Sequence, residues 1–258
     1  MLLQTLLLSS IVVFALVTTG FILAVKLKNN GIADVLWGIG FIVITYTTLF
    51  VNGIYSIRQL VVTVLVLFWG VRLAAHIFMR NKGKKEDFRY AAWRAQWGKA
   101  WVIKSYLYVF LLQGFFMLLV ALPVLFTNTY PGPTIGLLDR IGVVMWLIGF
   151  YFEAVGDWQL MQFKKKASNK GQIMNKGLWK YTRHPNYFGE SLMWWGIYVI
   201  ALSNMSAWWT FIGPLFITFS LLKVSGVTML ERKYKGDKAY REYQKTTSAF
   251  FPWFPSKS

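Results

Sequence analysis

The sequence contains no cysteine, which excludes disulfides, thiolate metal sites and cysteine nucleophiles. Charge is scarce: charged residues make up 15% of the chain and hydrophobic residues 56%, whereas a soluble domain carries roughly 25% charged residues. That shortfall excludes an ordinary water-soluble fold, and the wealth of apolar residues excludes intrinsic disorder. Only ten acids and two histidines are present, so each one inside an apolar stretch needs a reason. No Gly-x-Gly-x-x-Gly follows a strand-like run, and a Rossmann domain is therefore not expected. Polar linkers, low-complexity segments and fixed-period repeats are missing too, and residues 1–258 read as a single domain.

What the chain does have is apolar length. Runs of about 18 residues or more are long enough to be membrane helices, because a helix needs roughly 20 residues to cross the hydrocarbon. Seven are counted, near Leu2–Val25, Ile32–Val51, Leu60–Met79, Tyr106–Thr127, Leu138–Phe152, Tyr187–Leu202 and Ala207–Leu222. The first has no basic residue before it, so it reads as a retained span and not as a cleaved signal peptide. Aromatics at 18%, with 13 Trp, suit a protein anchored at two membrane interfaces. The net charge of +18 resembles that of a nucleic-acid binder, but its placement argues against nucleic acid. Twenty-five of the 28 Lys and Arg fall in alternate connections and the C-terminal tail, leaving Arg58 and Arg140 opposite and Arg72 within span three. Under the positive-inside rule this predicts an all-α integral membrane protein with seven transmembrane helices, the N-terminus outside and the C-terminus cytoplasmic. The basic loops are also placed to touch anionic lipid. The turn Asn128–Pro133 separates spans four and five. The Asn81–Lys104 loop and the Glu231–Ser256 tail carry aromatic and basic residues every three or four positions, as interfacial amphipathic helices do.

An ionisable group in hydrocarbon costs at least about 2.5 kcal/mol, so it needs a partner or a function. Five of the acids occupy such places: Asp34 in span two, Glu153 and Asp157 at the end of span five, Glu190 at the start of span six and Glu231 after span seven. On a continuous helix Glu153, Asp157 and Lys164 share a face. That face is either a helix end satisfied by Lys164–Lys166 or a polar surface for ribose hydroxyls. Asp34 is either a structural tie to a neighbouring span or a functional acid. His76 lies on one face of span three with Arg72 and Arg80. It is read as a polar contact inside the bundle or, with Arg72, as part of a grip on an anionic ligand. No metal site is expected from His76 and His184.

The richest segment is Gly177-Leu-Trp-Lys-Tyr-Thr-Arg-His-Pro-Asn-Tyr-Phe-Gly-Glu190. Pro185 fits the first turn of a helix, where its missing N–H costs little. Arg183, His184, Asn186, Tyr187 and Glu190 then converge at that helix start, a natural site for phosphate.

This run resembles the C-terminal signature of the steroid 5-alpha-reductase family and is most similar to its bacterial membrane members. The resemblance extends to Glu153, Asp157, Gln159 and the tail from Glu231 through Tyr243 to Phe251-Pro-Trp-Phe254. It implies a seven-span enzyme, here of a bacterial inner membrane, that reduces a carbon–carbon double bond conjugated to a ketone with NADPH. Residues 1–130 would be the substrate-side helices, and 138–258 the NADPH-binding helices and cytoplasmic loops. The family's Asn–Asp pair falls on Glu153 and Asp157, departing at the first. Its basic residue seven positions on falls on Lys164, a candidate for the 2′-phosphate. Its Asn and Glu on the next span fall on Asn186 and Glu190. Tyr181, Arg183, His184, Tyr187 and Glu231 complete the implied cofactor set. The family's Gln-Glu pair in span two and Tyr in span three have no counterpart in those spans, so Asp34, helped by His76, is expected to polarise the carbonyl of a lipophilic enone such as a 3-keto-4-ene steroid. An S-adenosylmethionine-dependent isoprenylcysteine-type carboxyl methyltransferase shares the Arg-His-Pro-x-Tyr run and Glu231, but a sulfonium cofactor would leave Asp157 and Lys164–Lys166 without a purpose. A transporter or lipid carrier would bring inverted repeats and broken mid-membrane helices, and neither is visible in the sequence.

Overall fold

The computed structural model describes residues 1–258 except Pro133, Ser225, Lys233, Lys257 and Ser258. Pro133 of the expected turn and two tail lysines thus lie outside the described residues. Every regular element among the described residues is helical. Among the described residues, five helices are long and apolar enough to cross a membrane: Leu2–Leu27, Ile32–Asn52, Ile57–Asn81, Phe88–Val120 and Met205–Arg232.

The chain forms two compact units, Met1–Gly136 with Ala201–Thr210, and Leu137–Ile200 with Phe211–Ser258. In the first unit α1 (Leu2–Leu27), α2 (Ile32–Asn52) and α3 (Ile57–Asn81) are full-length apolar helices. Ser56 caps α3 in a reciprocal capping box with Gln59, which satisfies two orphan donors at once. Helices α2 and α3 meet main chain to main chain: a Cβ on Gly70 would lie 2.6 Å from the carbonyl oxygen of Gly38. Then comes α4 (Phe88–Trp97), an amphipathic helix capped by Asp87. It leads through α5 (Trp101–Ser105) and a π-helical stretch into α6 (Leu112–Val120). The expected span Tyr106–Thr127 therefore starts earlier, and it is interrupted at Ala121, before α7 (Leu122–Thr129) with Pro123 in its first turn. Proline cannot continue the hydrogen-bond ladder behind it, so the break falls there.

The far end of α1, α2, α3 and α7 is tied by buried polar groups. Asn128 donates to the Thr45 carbonyl and to Thr48 Oγ1 at 3.1 and 2.8 Å. Gln59 donates to the Asn128 carbonyl at 2.8 Å. Arg58 is buried and donates to the Pro131 and Thr134 carbonyls, since a buried charge must be hydrogen-bonded.

The second unit is built on α8 (Leu137–Lys165) and α9 (Pro185–Ala201). Expected span five, Leu138–Phe152, becomes the 29-residue α8. It runs on through Glu153 and Asp157 to the lysines, so those groups share one continuous helix. Pro185 opens α9, which has 17 residues and rises about 26 Å, short of the roughly 30 Å hydrocarbon core. Glycines at seven-residue intervals, Gly142, Gly149 and Gly156 on α8 and Gly189 and Gly196 on α9, bring the backbones together. A Cβ on Gly149 would stand 2.6 Å from the Gly189 carbonyl oxygen, and one on Gly196 2.6 Å from that of Gly142. Such small-residue faces let membrane helices approach closely. The unit is completed by α10 (Ile212–Phe219), α11 (Val227–Arg232) and α12 (Lys238–Thr246), the last capped by Asp237.

Between α8 and α9 the chain is held at both sides. Leu178 N–H donates to Gln159 Oε1 and the Trp179 indole to the Gly156 carbonyl, each at 3.0 Å. On the other side the C-terminal tail pairs with it as a strap. Arg183 N–H donates to the Ser248 carbonyl and Trp253 N–H to the Tyr181 carbonyl, both at 2.9 Å. Thr182 Oγ1 donates to the Phe250 carbonyl at 2.8 Å.

Candidate functional site

The Arg-His-Pro-Asn run sits where α8, the start of α9 and the tail meet within the second unit. Because Pro185 sets the helix start, His184 lies just outside α9 and Asn186 in its first turn. Asn186 Nδ2 donates to Asp157 Oδ1 at 3.0 Å. A carboxylate only accepts, so this bond fixes the amide orientation. It leaves Asn186 Oδ1 buried and without a partner.

His184 is 3% exposed, and its ring stacks on Tyr187 with centroids 5.5 Å apart. Its Nε2 faces Glu231 Oε1 at 3.2 Å, and because a carboxylate only accepts, Nε2 is the donor. Its Nδ1 is buried with no partner. Glu231 is a hub. Oε1 also accepts from Arg183 Nε at 2.8 Å and from the Tyr240 hydroxyl at 3.2 Å, and Oε2 accepts from Gln244 Nε2 at 2.9 Å. Arg183 Nη1 donates to the Gln244 and Thr247 carbonyls. The guanidinium is thus held within the protein, with the Tyr240 hydroxyl also bonded to it. Burial pushes the Tyr240 hydroxyl well above its usual range, with the Glu231 charge adding to it. Burial does the same for Tyr243, helped by neighbouring Tyr240; the Tyr243 hydroxyl donates to the Trp179 carbonyl. Both therefore remain neutral donors.

The other expected cofactor residues lie on the same elements. Glu153 is 2% exposed in mid-α8, its Cβ 3.0 Å from where a Gly189 Cβ would be. Lys164 is in the last turn of α8. Tyr181 precedes α9, its ring edge-on to Phe254 at 6.0 Å, and Glu190 is in the second turn of α9. Among the expected residues, the structure joins Asp157 to Asn186, His184 to Tyr187, and both Arg183 and His184 to Glu231. Tyr240 and Gln244 also belong to this cluster. Sequence reasoning missed them, although their i, i+4 spacing on an amphipathic tail helix was a usable signal.

In the first unit Asp34 stands in the first turn of α2. It accepts from Arg89 Nη2 at 3.0 Å and from the Tyr90 hydroxyl at 2.5 Å. Arg89 also donates from Nε to Asp87 at 2.8 Å. Burial works against ionisation of Asp87, but hydrogen bonds from Arg89 hold its carboxyl below the usual range. Tyr90 is buried. Its oxygen accepts from Gln113 Nε2 at 3.4 Å, and Gln113 Oε1 accepts from the Trp37 indole at 2.8 Å. His76 lies on α3, and the carboxylate of Asp34 takes its hydrogen bonds from α4. Arg89 and Tyr90 were missed in the sequence. The signal was available: a carboxylate in a span needs donors, and the adjacent amphipathic segment carries both.

A family model described as a protein of unknown function, DUF1295, matches residues 20–247. The chain belongs to this family. An uncharacterised protein of Schizosaccharomyces pombe is 26% identical to this DUF1295 protein, over 87% of this chain and 73% of the yeast protein. Steroid 5-alpha-reductase DET2 of Arabidopsis thaliana is 28% identical over 44% of this chain and 40% of its own. The 3-oxo-5-alpha-steroid 4-dehydrogenase 1 of Mus musculus is 27% identical over 43% and 41%. The chain thus matches about two fifths of the length of these two reductases. No solved structure matches it.

Proposed function

We propose that this DUF1295 protein is a membrane-embedded, NADPH-dependent reductase of the carbon–carbon double bond of a lipophilic enone, such as a 3-keto-4-ene steroid. The observation that carries the reading is the pair of buried, unpartnered polar atoms His184 Nδ1 and Asn186 Oδ1, on the motif that resembles the reductase signature. An unmade buried hydrogen bond costs about 1–3 kcal/mol, and a hydrogen-bonding ligand removes that cost. A dinucleotide fits these two atoms, because its ribose hydroxyls and carboxamide can both donate and accept. Asp157 orients Asn186, and Glu231 orients the His184 ring by holding its Nε2. Arg183 keeps a positive charge beside the ligand, and Lys164 supplies a cation for a phosphate. Tyr181, Tyr187, Glu153 and Glu190 shape the surroundings.

When bound, NADPH supplies the hydride for the β-carbon, while a proton goes to the α-carbon. In the first unit we assign the carbonyl to the Asp34 cluster, with His76 assisting. On substrate binding the Tyr90 hydroxyl turns its one proton from Asp34 to the carbonyl oxygen, and Arg89, still paired with Asp34, offsets the negative charge that develops there. Such preorganised donors are worth about 10²–10³ in rate each. Asp34 aligns both groups. The fold proposed has seven spans, α8 and α9 joining the five apolar helices. The basic bias of the loops supports a cytoplasmic C-terminus and an outside N-terminus; the resemblance supports a bacterial inner membrane as the setting.

The test is mass spectrometry of purified protein with NADPH and a 3-keto-4-ene steroid. The expected product is heavier by two hydrogens. No such product, together with thermal stabilisation by S-adenosylmethionine and not by NADPH, rejects the proposal.

A further inference from the structure

Arg183 is engaged by Glu231, by two main-chain carbonyls and by Tyr240, and Lys164 is a single cation, too little for a phosphate monoester, which carries about two negative charges and three acceptor oxygens. The second unit offers a better place. A cavity of about 400 Å³ lies between α11 and α12, lined among others by Glu231, Arg232, Tyr234, Lys235, Arg241 and Gln244. That volume is within the range of small-ligand sites, roughly 300–1,000 Å³. Among the described residues, no side-chain partner is found for Arg232, Lys235 or Arg241, whereas Arg89, Arg94 and Arg183 are all ion-paired. The single acid in the lining, Glu231, already accepts hydrogen bonds on both oxygens, so it neutralises none of the three. Tyr234 stacks one face on Tyr240, centroids 4.5 Å apart and 14° from parallel. The ring is 37% exposed, which leaves surface for a second aromatic partner. Gly236, at φ +98°, lets the chain turn between the two helices without a side chain in the lining.

We propose that this cavity binds the adenosine 2′-phosphate end of NADPH. Arg232, Lys235 and Arg241 hold the phosphate through charge-assisted hydrogen bonds, and the adenine lies on Tyr234 as bases lie on aromatic platforms. Selection of NADPH over NADH is then located in the tail, joined to the His184 ring through Glu231. This rests on the dinucleotide reading above.

The test uses the full chain in phosphatidylcholine nanodiscs and reads dissociation constants by tryptophan fluorescence. The probes are NADPH, NADH, adenosine 2′,5′-bisphosphate and 5′-AMP. The wild type is expected to prefer NADPH, with the bisphosphate competing and 5′-AMP not. The exposed double variant K235Q/R241Q should weaken NADPH about tenfold or more, one charge-assisted hydrogen bond or better, with NADH unchanged. Y234A should weaken both cofactors alike. An unchanged NADPH-to-NADH ratio in the double variant overturns the inference and leaves the reductase reading intact. The same holds if native mass spectrometry finds that the double variant loses only co-purified phosphatidylglycerol, which makes the cavity a lipid contact. A wild type that binds neither dinucleotide overturns the reductase reading and this inference with it.

Discussion

Replacement of Glu231 is the sharpest probe of the tail strap. Its carboxylate accepts from Arg183, His184, Tyr240 and Gln244, while Arg183 and His184 are 9% and 3% exposed. Alanine would leave a buried guanidinium and a buried imidazole facing a gap. Breaking a buried pair by removing one partner costs about 3–5 kcal/mol. For a chain of this size that corresponds to a melting temperature lower by roughly 10 °C. Glutamine keeps the shape but loses the charge, and it turns an amide donor toward Gln244 or toward Arg183. A cost of about 1.5–3 kcal/mol is expected there, the value of a charged hydrogen bond. The assay is thermal unfolding in detergent followed by limited trypsin digestion, since Lys238, Arg241 and Lys245 flank the strap. Both variants should release the tail to trypsin below the wild-type melting temperature, alanine before glutamine. If E231A melts with the wild type and its tail stays resistant, Glu231 does not hold the strap and the clamp reasoning is wrong.

Other outcomes follow from the same geometry. Y90F should lower turnover about 10²–10³-fold and D34A at least as much, both with NADPH-induced thermal stabilisation retained; normal turnover in D34A removes Asp34 from the mechanism. N186L removes both the orphan acceptor and the bond to Asp157, and should weaken NADPH binding by about tenfold or more without altering steroid binding; calorimetry with each ligand separates the two. G189A drives a methyl into the Gly149 carbonyl and the Glu153 backbone, and should cost about 1–3 kcal/mol or more, read as a lower melting temperature; an unchanged value means that the α8–α9 contact is looser than described.

Helical class and membrane character were legible because apolar run length is a direct physical requirement of the bilayer. Asp157 and Asn186 were brought to one site only by the family resemblance, whereas the helix start at Pro185 was legible from proline geometry. The outer limits of α8 were not, because Glu153 and Asp157 interrupt the apolar signal without interrupting the helix. The partners of Asp34 were not found either. Arg89 and Tyr90 come from a segment read as interfacial, and its folding back onto α2 is a tertiary fact that no local period records. The glycine spacing on α8 and α9 was visible in the letters, but its meaning depends on two helices being neighbours. Arg183 read as a phosphate ligand because isolated arginine beside a helix start usually is; its capture by Glu231 depends on a tail nearly fifty residues away.

The glycine contacts between α8 and α9 have a mechanical consequence. Where main chain rests on main chain there is no cushion of side chains to compress or re-sort, so neither helix can slide by a fraction of a turn. Asp157 and Asn186 are therefore held at a fixed span whether a guest is present or not. Whatever yielding is needed to let a guest in and out falls to the loop and tail, which side-chain and strand-like bonds fasten and which can unfasten one bond at a time.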